Sequence, residues 1–182
     1  MLDNPFRRLI EPPDQIVGKL MLTSEMTVVD FGCGPGHFIL ELAKRSRKVV
    51  AVDLQAGMLK KAKHKAEKAG VCNVEFLQSN GAAIELPDSS VDLIMLFTVF
   101  HEIGDSTTVL KEFSRILKPS GKVAIVEVIK KMYRLAAPLQ NPDALQAKVE
   151  SEGTFKLEKI EPYKSYGIFF FKKNAEATKP TH

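Results

Sequence analysis

Two hydrophobic patterns alternate along most of the chain. Short apolar runs rich in β-branched residues are typical of buried strands, and the stretches between them repeat apolar residues every three or four positions, as one face of a helix does. The predicted strands are 27–31, 48–54, 73–78, 91–96 and 122–128, and the predicted helices are 13–22, 36–46, 55–69, 105–117 and 141–152. This alternation predicts an open α/β sheet, mostly parallel, with helices on both faces.

The pattern changes near the C-terminus. The stretch "FKLEKIEPYKSYGIFFFKK" contains two strand-like pieces that are separated by only a few residues, 162–165. Such a short connection cannot hold a crossover helix, so the pieces are predicted to form an antiparallel hairpin. We expect one domain over 1–182, with a short N-terminal helical cap at 1–25 and a loose tail at 174–182.

Composition is that of a globular chain. The 182 residues are 45% hydrophobic and 26% charged, which suits one soluble domain. The longest dense apolar run, 93–100, is far shorter than the roughly 20 residues of a membrane helix, and no secretory signal is readable at the N-terminus. Cys33 and Cys72 have neither metal-ligand nor disulfide-framework spacing, so we expect a cytoplasmic protein without a structural metal.

The net charge of +4 is concentrated at the C-terminal end. Residues 129–182 carry 10 basic and 6 acidic side chains, whereas residues 1–128 carry 16 of each. A basic face could meet an anionic substrate or nucleic acid. The basic residues are nevertheless spread out and no nucleic-acid motif accompanies them, which favours an ordinary solvated surface.

The stretch "VVDFGCGPGHF" at 28–38 places a glycine-rich loop directly after the first strand. Glycines there permit positive φ and let a ligand approach the backbone, and the following helix directs its positive end to the same place. A dinucleotide site would need G-x-G-x-x-G, but His37 stands where the last glycine belongs. Asp30 would also repel a pyrophosphate, whereas it could receive the ammonium group of S-adenosylmethionine.

Several motifs in order resemble the class I S-adenosylmethionine-dependent methyltransferases, in particular the type 11 group. They are the glycine loop, "VVAVDL", "LPDSSVDLI", "FHEI" and "LKEFSRILKPSGKVAIVE". The resemblance implies a doubly wound, three-layer Rossmann-like fold, whose seven-stranded, mostly parallel sheet has an antiparallel last strand. It also implies methyl transfer from S-adenosylmethionine, with S-adenosylhomocysteine as product.

The resemblance assigns roles by position. The implied cofactor contacts are Asp30, Gly32, Cys33, Gly34, Gly36, Asp53, Leu54, Asn80 and Phe97. Asp30 and the glycines would hold the methionine part, Asp53 would accept hydrogen bonds from the ribose hydroxyls, and Leu54 would cover the adenine. Asn80 stands where the family often has an acid, and its amide oxygen could accept a hydrogen bond from the adenine amine.

Residues that follow the fourth strand are candidates for the chemistry. Methyl transfer is an in-line displacement that requires alignment and no metal. Thr98, His101 and Glu102 are the predicted substrate contacts, and His101 is the predicted catalytic residue because it could accept a proton from the acceptor. The alternative is that His101 only starts the next helix and bonds to backbone.

The acceptor is not identified by the sequence. "FTVF" replaces the N/D-P-P-Y/F motif of amino-methyltransferases, which disfavours methylation of a nucleic-acid base or a glutamine. The short segments available as a lid, including 129–141, leave three options: a small substrate, a macromolecule on an open face, or a homodimer that completes the pocket. Two rival functions stay open, a non-catalytic module that binds S-adenosylmethionine and a nicotinamide-dependent oxidoreductase.

Overall fold

The structure is a computed structural model that describes residues 12–129 and 140–174. Within these residues, seven strands form one sheet in the order β3-β2-β1-β4-β5-β7-β6. The strands are β1 Thr27–Phe31, β2 Lys48–Asp53, β3 Val74–Gln78, β4 Val91–Phe97, β5 Leu117–Val128, β6 Phe155–Tyr163 and β7 Tyr166–Lys173. The α-helices are Pro13–Lys19, Ile39–Arg45, Ala56–Lys68, Ser106–Ile116 and Pro142–Glu150, and a 3-10 helix lies at Phe100–Glu102.

Strand directions follow the predicted scheme. β2 runs parallel to β1 and to β3, and β5 runs parallel to β4. β7 is antiparallel to both of its neighbours, β5 and β6. The chain reverses between β6 and β7 in a turn of two residues, Lys164 and Ser165. Lys164 has a φ of 53°, as such tight turns require. The α/β sheet with a reversed last strand is therefore confirmed, as is the C-terminal hairpin.

The described residues divide into two compact units, which comprise residues 12–80 and residues 81–129 with 140–174. In the first, helix Ile39–Arg45 packs on β2, and helix Ala56–Lys68 packs on β2 and β3. A buried cluster joins these elements and consists of Cys33, Ile39, Ala51, Leu59, Ala62 and Ala66. Small residues on helix Ala56–Lys68 allow it to approach the sheet closely, because alanine projects little beyond the backbone.

In the second unit, helix Ser106–Ile116 packs on β5 and helix Pro142–Glu150 packs on β6. The three consecutive aromatics of β7, Phe169, Phe170 and Phe171, are all buried, so both faces of this strand are covered. Asp105 caps helix Ser106–Ile116 by accepting a hydrogen bond from the Thr108 amide, as predicted for its start.

Three local features differ from the expected elements, and the first is that the helix expected at 36–46 begins at Ile39. The strand expected at 122–128 begins at Leu117, which pairs with Val91 before an irregularity in register. Gly121 lies in this irregular stretch, where a Cβ would meet the Val91 carbonyl oxygen at 3.0 Å. Helix 13–22 ends instead at Lys19, and Met21 then turns with a φ of 53°.

Other expectations concern the ends and the lid. Asn174 donates its amide to the Thr154 carbonyl oxygen at 2.9 Å, whereas the rest of the predicted tail, and most of the lid segment 129–141, lie outside the described residues. None of the helices in 12–129 and 140–174 is long and apolar enough to cross a membrane. The single-domain organisation over 1–182 stays a prediction.

Candidate active site

The glycine loop follows β1 directly. Gly32, Gly34 and Gly36 have φ values of 72°, 53° and 82°, a backbone region that side chains disfavour. At Gly36 a Cβ would meet the Ile39 side chain at 2.7 Å, so this glycine is also needed for packing. At Gly34 a Cβ would meet nothing within 4 Å, so the loop is open on that side.

Backbone donors in the loop are already used inside the protein. The amides of Gly32 and Cys33 donate to the Val52 carbonyl oxygen at 2.8 and 3.1 Å. The Gly34 amide donates to Oδ2 of Asp53 at 2.9 Å, and the Gly36 amide donates to the Cys33 carbonyl oxygen at 3.0 Å. A diphosphate would therefore find no free N–H at these positions, which argues against a dinucleotide on this loop.

Asp30 lies near the end of β1 with its side chain buried. Its Oδ2 has no hydrogen-bond partner among the described residues. Burial raises the pKa of this carboxyl to about 7, the nearby Asp53 adds to the rise, and Lys65 opposes it. A buried carboxylate without a donor is unfavourable, so the site suits a ligand that brings a cationic N–H group.

Asp53 ends β2 and ties two backbone segments together. One carboxylate oxygen accepts the Gly34 amide and the other accepts the Gln55 amide at 2.8 Å. Each oxygen keeps a second lone pair, which is what acceptance from two ribose hydroxyls requires. Leu54 follows with 64% of its surface exposed, as an adenine-covering residue would be before a ligand binds.

Lys65 is a loop contact that the sequence analysis missed. From helix Ala56–Lys68, its Nζ donates to the Gly36 carbonyl oxygen at 2.6 Å. The same charge lowers the pKa of Asp30. The helix carries many lysines, and sequence spacing alone does not indicate which of them reaches the loop 29 residues away.

Cys33 and Asn80 are the remaining predicted contacts in this unit. The Cys33 side chain belongs to the buried cluster, and burial raises its thiol pKa, so this side chain is not available to a ligand. Asn80 is exposed just after β3. The preceding Ser79 donates its amide to the Asp53 carbonyl oxygen at 3.2 Å, which fixes the chain here beside the end of β2. Its contact with adenine stays a prediction.

In the second unit, the end of β4 forms a tight turn. Phe97 is buried, and its ring centroid lies 5.4 Å from that of Tyr166. Thr98 adopts a φ of 50°, unusual for a β-branched residue, and its amide donates to the Val126 carbonyl oxygen at 2.8 Å. Such strained backbone is found disproportionately at functional sites.

His101 lies in the 3-10 helix and contacts a buried acid. Its Nδ1 is 3.0 and 3.1 Å from the two carboxylate oxygens of Glu127, which is fully buried near the end of β5. Burial raises the pKa of Glu127, although the bond from His101 opposes the rise. His101 thus lies in a short 3-10 helix before helix Ser106–Ile116, and its ring contacts a side chain; its catalytic role stays a prediction.

Glu127 was missed as a site residue by the sequence analysis. An acid near the end of an apolar strand gives no sign of its partner, which is 26 residues away in the chain. Glu102, the third predicted substrate contact, has 72% of its side chain exposed, and its Oε1 lies 3.8 Å from Nε2 of His101.

The chain is similar to a protein family and to several known proteins. A family model described as a methyltransferase domain matches residues 22–172. A demethylmenaquinone methyltransferase of Lactococcus lactis is 34% identical over 105 residues, which cover 56% of this chain and 42% of that protein. The ubiquinone/menaquinone biosynthesis C-methyltransferase UbiE of Escherichia coli is 32% identical over 108 residues, covering 57% of this chain and 43% of its own.

A solved structure matches over a larger share of both chains. An S-adenosylmethionine-dependent methyltransferase from Aquifex aeolicus superposes with a TM-score of 0.82 at 29% identity, over 93% of this chain and 94% of that one. By contrast, the chain spans less than half the length of the two curated relatives.

Proposed function

The chain belongs to the methyltransferase-domain family, and from that membership we propose that it transfers a methyl group from S-adenosylmethionine to a small-molecule acceptor. The observation that carries the proposal is the buried Asp30 carboxylate, whose Oδ2 has no partner among the described residues, beside a loop that is open at Gly34. The ammonium group of the methionine part would supply the missing cationic donor.

The residues of the first unit fit the rest of this cofactor. Asp53 offers lone pairs for the ribose hydroxyls, and the exposed Leu54 offers an apolar surface for the adenine. When bound, S-adenosylmethionine supplies a methyl group on a positively charged sulfur. Asp30, which is ionised once a cation is close, would favour this positive ligand over the anionic dinucleotides.

A small-molecule acceptor is supported by two observations. The Lactococcus and Escherichia relatives are named for menaquinone and ubiquinone biosynthesis, which concerns small molecules. In addition, lysines of the basic C-terminal region are engaged locally, for example Lys159 with Glu161 at 3.4 Å and over the Phe170 ring at 4.7 Å. Both observations disfavour nucleic acid as the acceptor.

Calorimetric titration tests the cofactor part of the proposal. We expect micromolar binding of S-adenosylmethionine and S-adenosylhomocysteine and no binding of NADH. Asp30→Asn should weaken binding at least tenfold, whereas Asp14→Asn, which changes an exposed acid of the same unit, should leave it unchanged. Binding of NADH alone would overturn the proposal, and cofactor binding without methyl transfer to any of a broad panel of acceptors would favour the non-catalytic module.

We also propose that the protein works in the reducing cytoplasm. Cys33 and Cys72 are both free thiols, the first buried and the second exposed. Protein purified without reductant should therefore titrate with two thiols after denaturation. A disulfide-linked product from the native source would contradict this proposal.

A further inference from the structure

We propose that Glu127 and His101 act as a pair, in which the buried carboxylate orients the imidazole so that Nε2 removes a proton from a weakly acidic acceptor, such as a phenol or enol, that reacts as its conjugate base. This inference rests on the proposed function and specifies its acceptor class. His101 would be the catalytic residue, and Glu127 a positioning residue that acts through it.

The hydrogen bonds determine which ring nitrogen is available. Both oxygens of Glu127 lie within 3.1 Å of Nδ1, and Oε1 is also 3.4 Å from the His101 amide. A carboxylate accepts hydrogen bonds, so Nδ1 must carry the proton and Nε2 must carry the lone pair. The imidazole is thereby held in the tautomer that can accept a proton at Nε2.

The two ring nitrogens of His101 lie beside acids that differ in exposure. Glu127 has no exposed surface, whereas the His101 side chain keeps 16% of its surface exposed and its Nε2 faces the well-exposed Glu102 at 3.8 Å. A proton donor from solution or substrate therefore reaches Nε2 rather than Nδ1.

Burial of the Glu127 carboxylate costs free energy, because a charged group is removed from water. The described hydrogen bonds to its carboxylate come from the backbone or side chain of residues 100 and 101. A neutral amide could accept the same bonds at lower desolvation cost. Only a carboxylate, however, stabilises the positive charge that His101 gains when it takes a proton.

A backbone hydrogen bond holds the end of β5 next to Glu127. The bond from the Thr98 amide to the Val126 carbonyl joins the ends of β4 and β5 one residue before Glu127. The charged groups that face the imidazole are Glu127 from β5 and Glu102 from the 3-10 helix, and Lys148 of helix Pro142–Glu150 lies 5.1 Å from the neighbouring Phe100 ring. An acid thus lies beside each ring nitrogen, and Glu127 is the nearer of the two.

The acceptor class follows from proton-transfer energetics. An imidazole base matches donors whose pKa is within a few units of its own, such as phenols near 10, and is far too weak for an alkyl alcohol. In the proposed step, the acceptor O–H proton moves to Nε2, and the electron pair released on the acceptor forms the bond to the methyl carbon. The carbon–sulfur bond breaks with its pair on sulfur, which becomes neutral, and the imidazolium later releases its proton to water.

The first test needs no ligand. Long-range ¹H–¹⁵N spectra of the ligand-free protein should show one histidine, assigned with His101→Asn, as the Nδ1–H tautomer. Glu127→Gln should shift that histidine toward a mixed population, and Glu152→Gln, an exposed acid of the same unit, should not. An Nε2–H tautomer of His101 in the wild-type protein would overturn the proposal, and sequential assignment of the wild-type spectrum identifies this histidine if the His101→Asn protein does not fold.

The second test uses substituted phenols of graded acidity as probe acceptors. His101→Asn should lower kcat/KM about 100-fold for phenols that are protonated at the assay pH, and much less for those already ionised, such as 4-nitrophenol. Equal loss across the series would show a merely structural role. Calorimetry with S-adenosylmethionine on the wild-type protein and on the same variants separates the two proposals. Absence of S-adenosylmethionine binding in the wild-type protein would contradict the proposed function itself, whatever the role of His101.

Discussion

At the scale of single residues, the Asp30 carboxylate is proposed to bind the cofactor, but in its charged form it lowers the stability of the folded protein. Burial raises the pKa of its carboxyl to about 7 in the folded protein, from an ordinary value of 3.8. Between roughly pH 4 and 7 the native protein therefore holds more protons than the unfolded chain, and the free energy of unfolding falls as the pH rises through this window. Above this pH window the stabilisation that comes from the extra proton on Asp30 is lost completely.

Replacing Asp30 by Asn should remove this dependence. Because one pKa unit corresponds to about 1.4 kcal/mol, the stability of Asp30→Asn relative to the wild-type protein should increase by about 3 kcal/mol between pH 5 and pH 8. Urea unfolding of both proteins at the two pH values measures the difference. If the free energy of unfolding changes equally with pH in the two proteins, the Asp30 carboxyl does not titrate in this range.

The Asp53 carboxylate accepts hydrogen bonds from the loop and is also the predicted contact for the ribose. Asp53→Ala should weaken S-adenosylhomocysteine binding by about 1–3 kcal/mol, because a charged acceptor is lost. Glu67→Ala, at an exposed acid on helix Ala56–Lys68, is the matched control. If Asp53 contacts the ribose, a 2′-deoxy analogue should lose less affinity in the variant than in the wild-type protein; an equal loss would limit Asp53 to holding the loop amides.

At the scale of elements, the glycines of helices and strands have different requirements. Gly121, in β5, leaves no room for a methyl group beside the Leu117 side chain at 2.8 Å and the Val91 carbonyl oxygen at 3.0 Å. Gly57, in helix Ala56–Lys68, has nothing within 4 Å of a Cβ and an ordinary φ. The same substitution should therefore have opposite effects at the two positions.

Gly121→Ala should destabilise the protein by roughly 1–3 kcal/mol, since backbone must move to admit the Cβ. Gly57→Ala should stabilise it by about 0.5–1 kcal/mol through the better helix propensity of alanine. Denaturant unfolding of each variant gives both values. A stable Gly121→Ala protein would show that the irregular start of β5 can relax without cost.

Periodicity was sufficient for most elements and insufficient for the site. The strands and long helices were predicted because each repeats one burial pattern over many residues, as β4 does. The 3-10 helix Phe100–Glu102 was missed, since three residues are too few to show a period. Asp30 and Asp53 were found through their spacing from the glycines, whereas Lys65 and Glu127 act across 29 and 26 residues and have no local signal.

At the scale of the whole molecule, basic and acidic side chains of β5 and of the C-terminal hairpin pair with one another. Lys122 lies 2.5 Å from Glu158, and Lys159 lies 3.4 Å from Glu161. Nucleic-acid binding depends on basic side chains that are free to displace counterions from phosphates. The described charges therefore suit an ordinary surface better than a nucleic-acid groove.

We accordingly expect no specific nucleic-acid binding. Fluorescence anisotropy with labelled single-stranded DNA and RNA should show no saturable binding below about 100 μM at 150 mM salt, which is the weak end of non-specific affinity. Any binding at 50 mM salt should vanish as salt is raised. Micromolar affinity at 150 mM salt would instead favour a macromolecular acceptor.

Sheet order also bears on how the protein is made. β7 lies between β5 and β6, yet it is synthesised after both. A nascent chain on the ribosome can form β1 to β3 early, but β6 has no partner until residues 166–173 have emerged from the exit tunnel. Until then β5 presents an unpaired edge, the kind of surface that chaperones must shield from aggregation during translation.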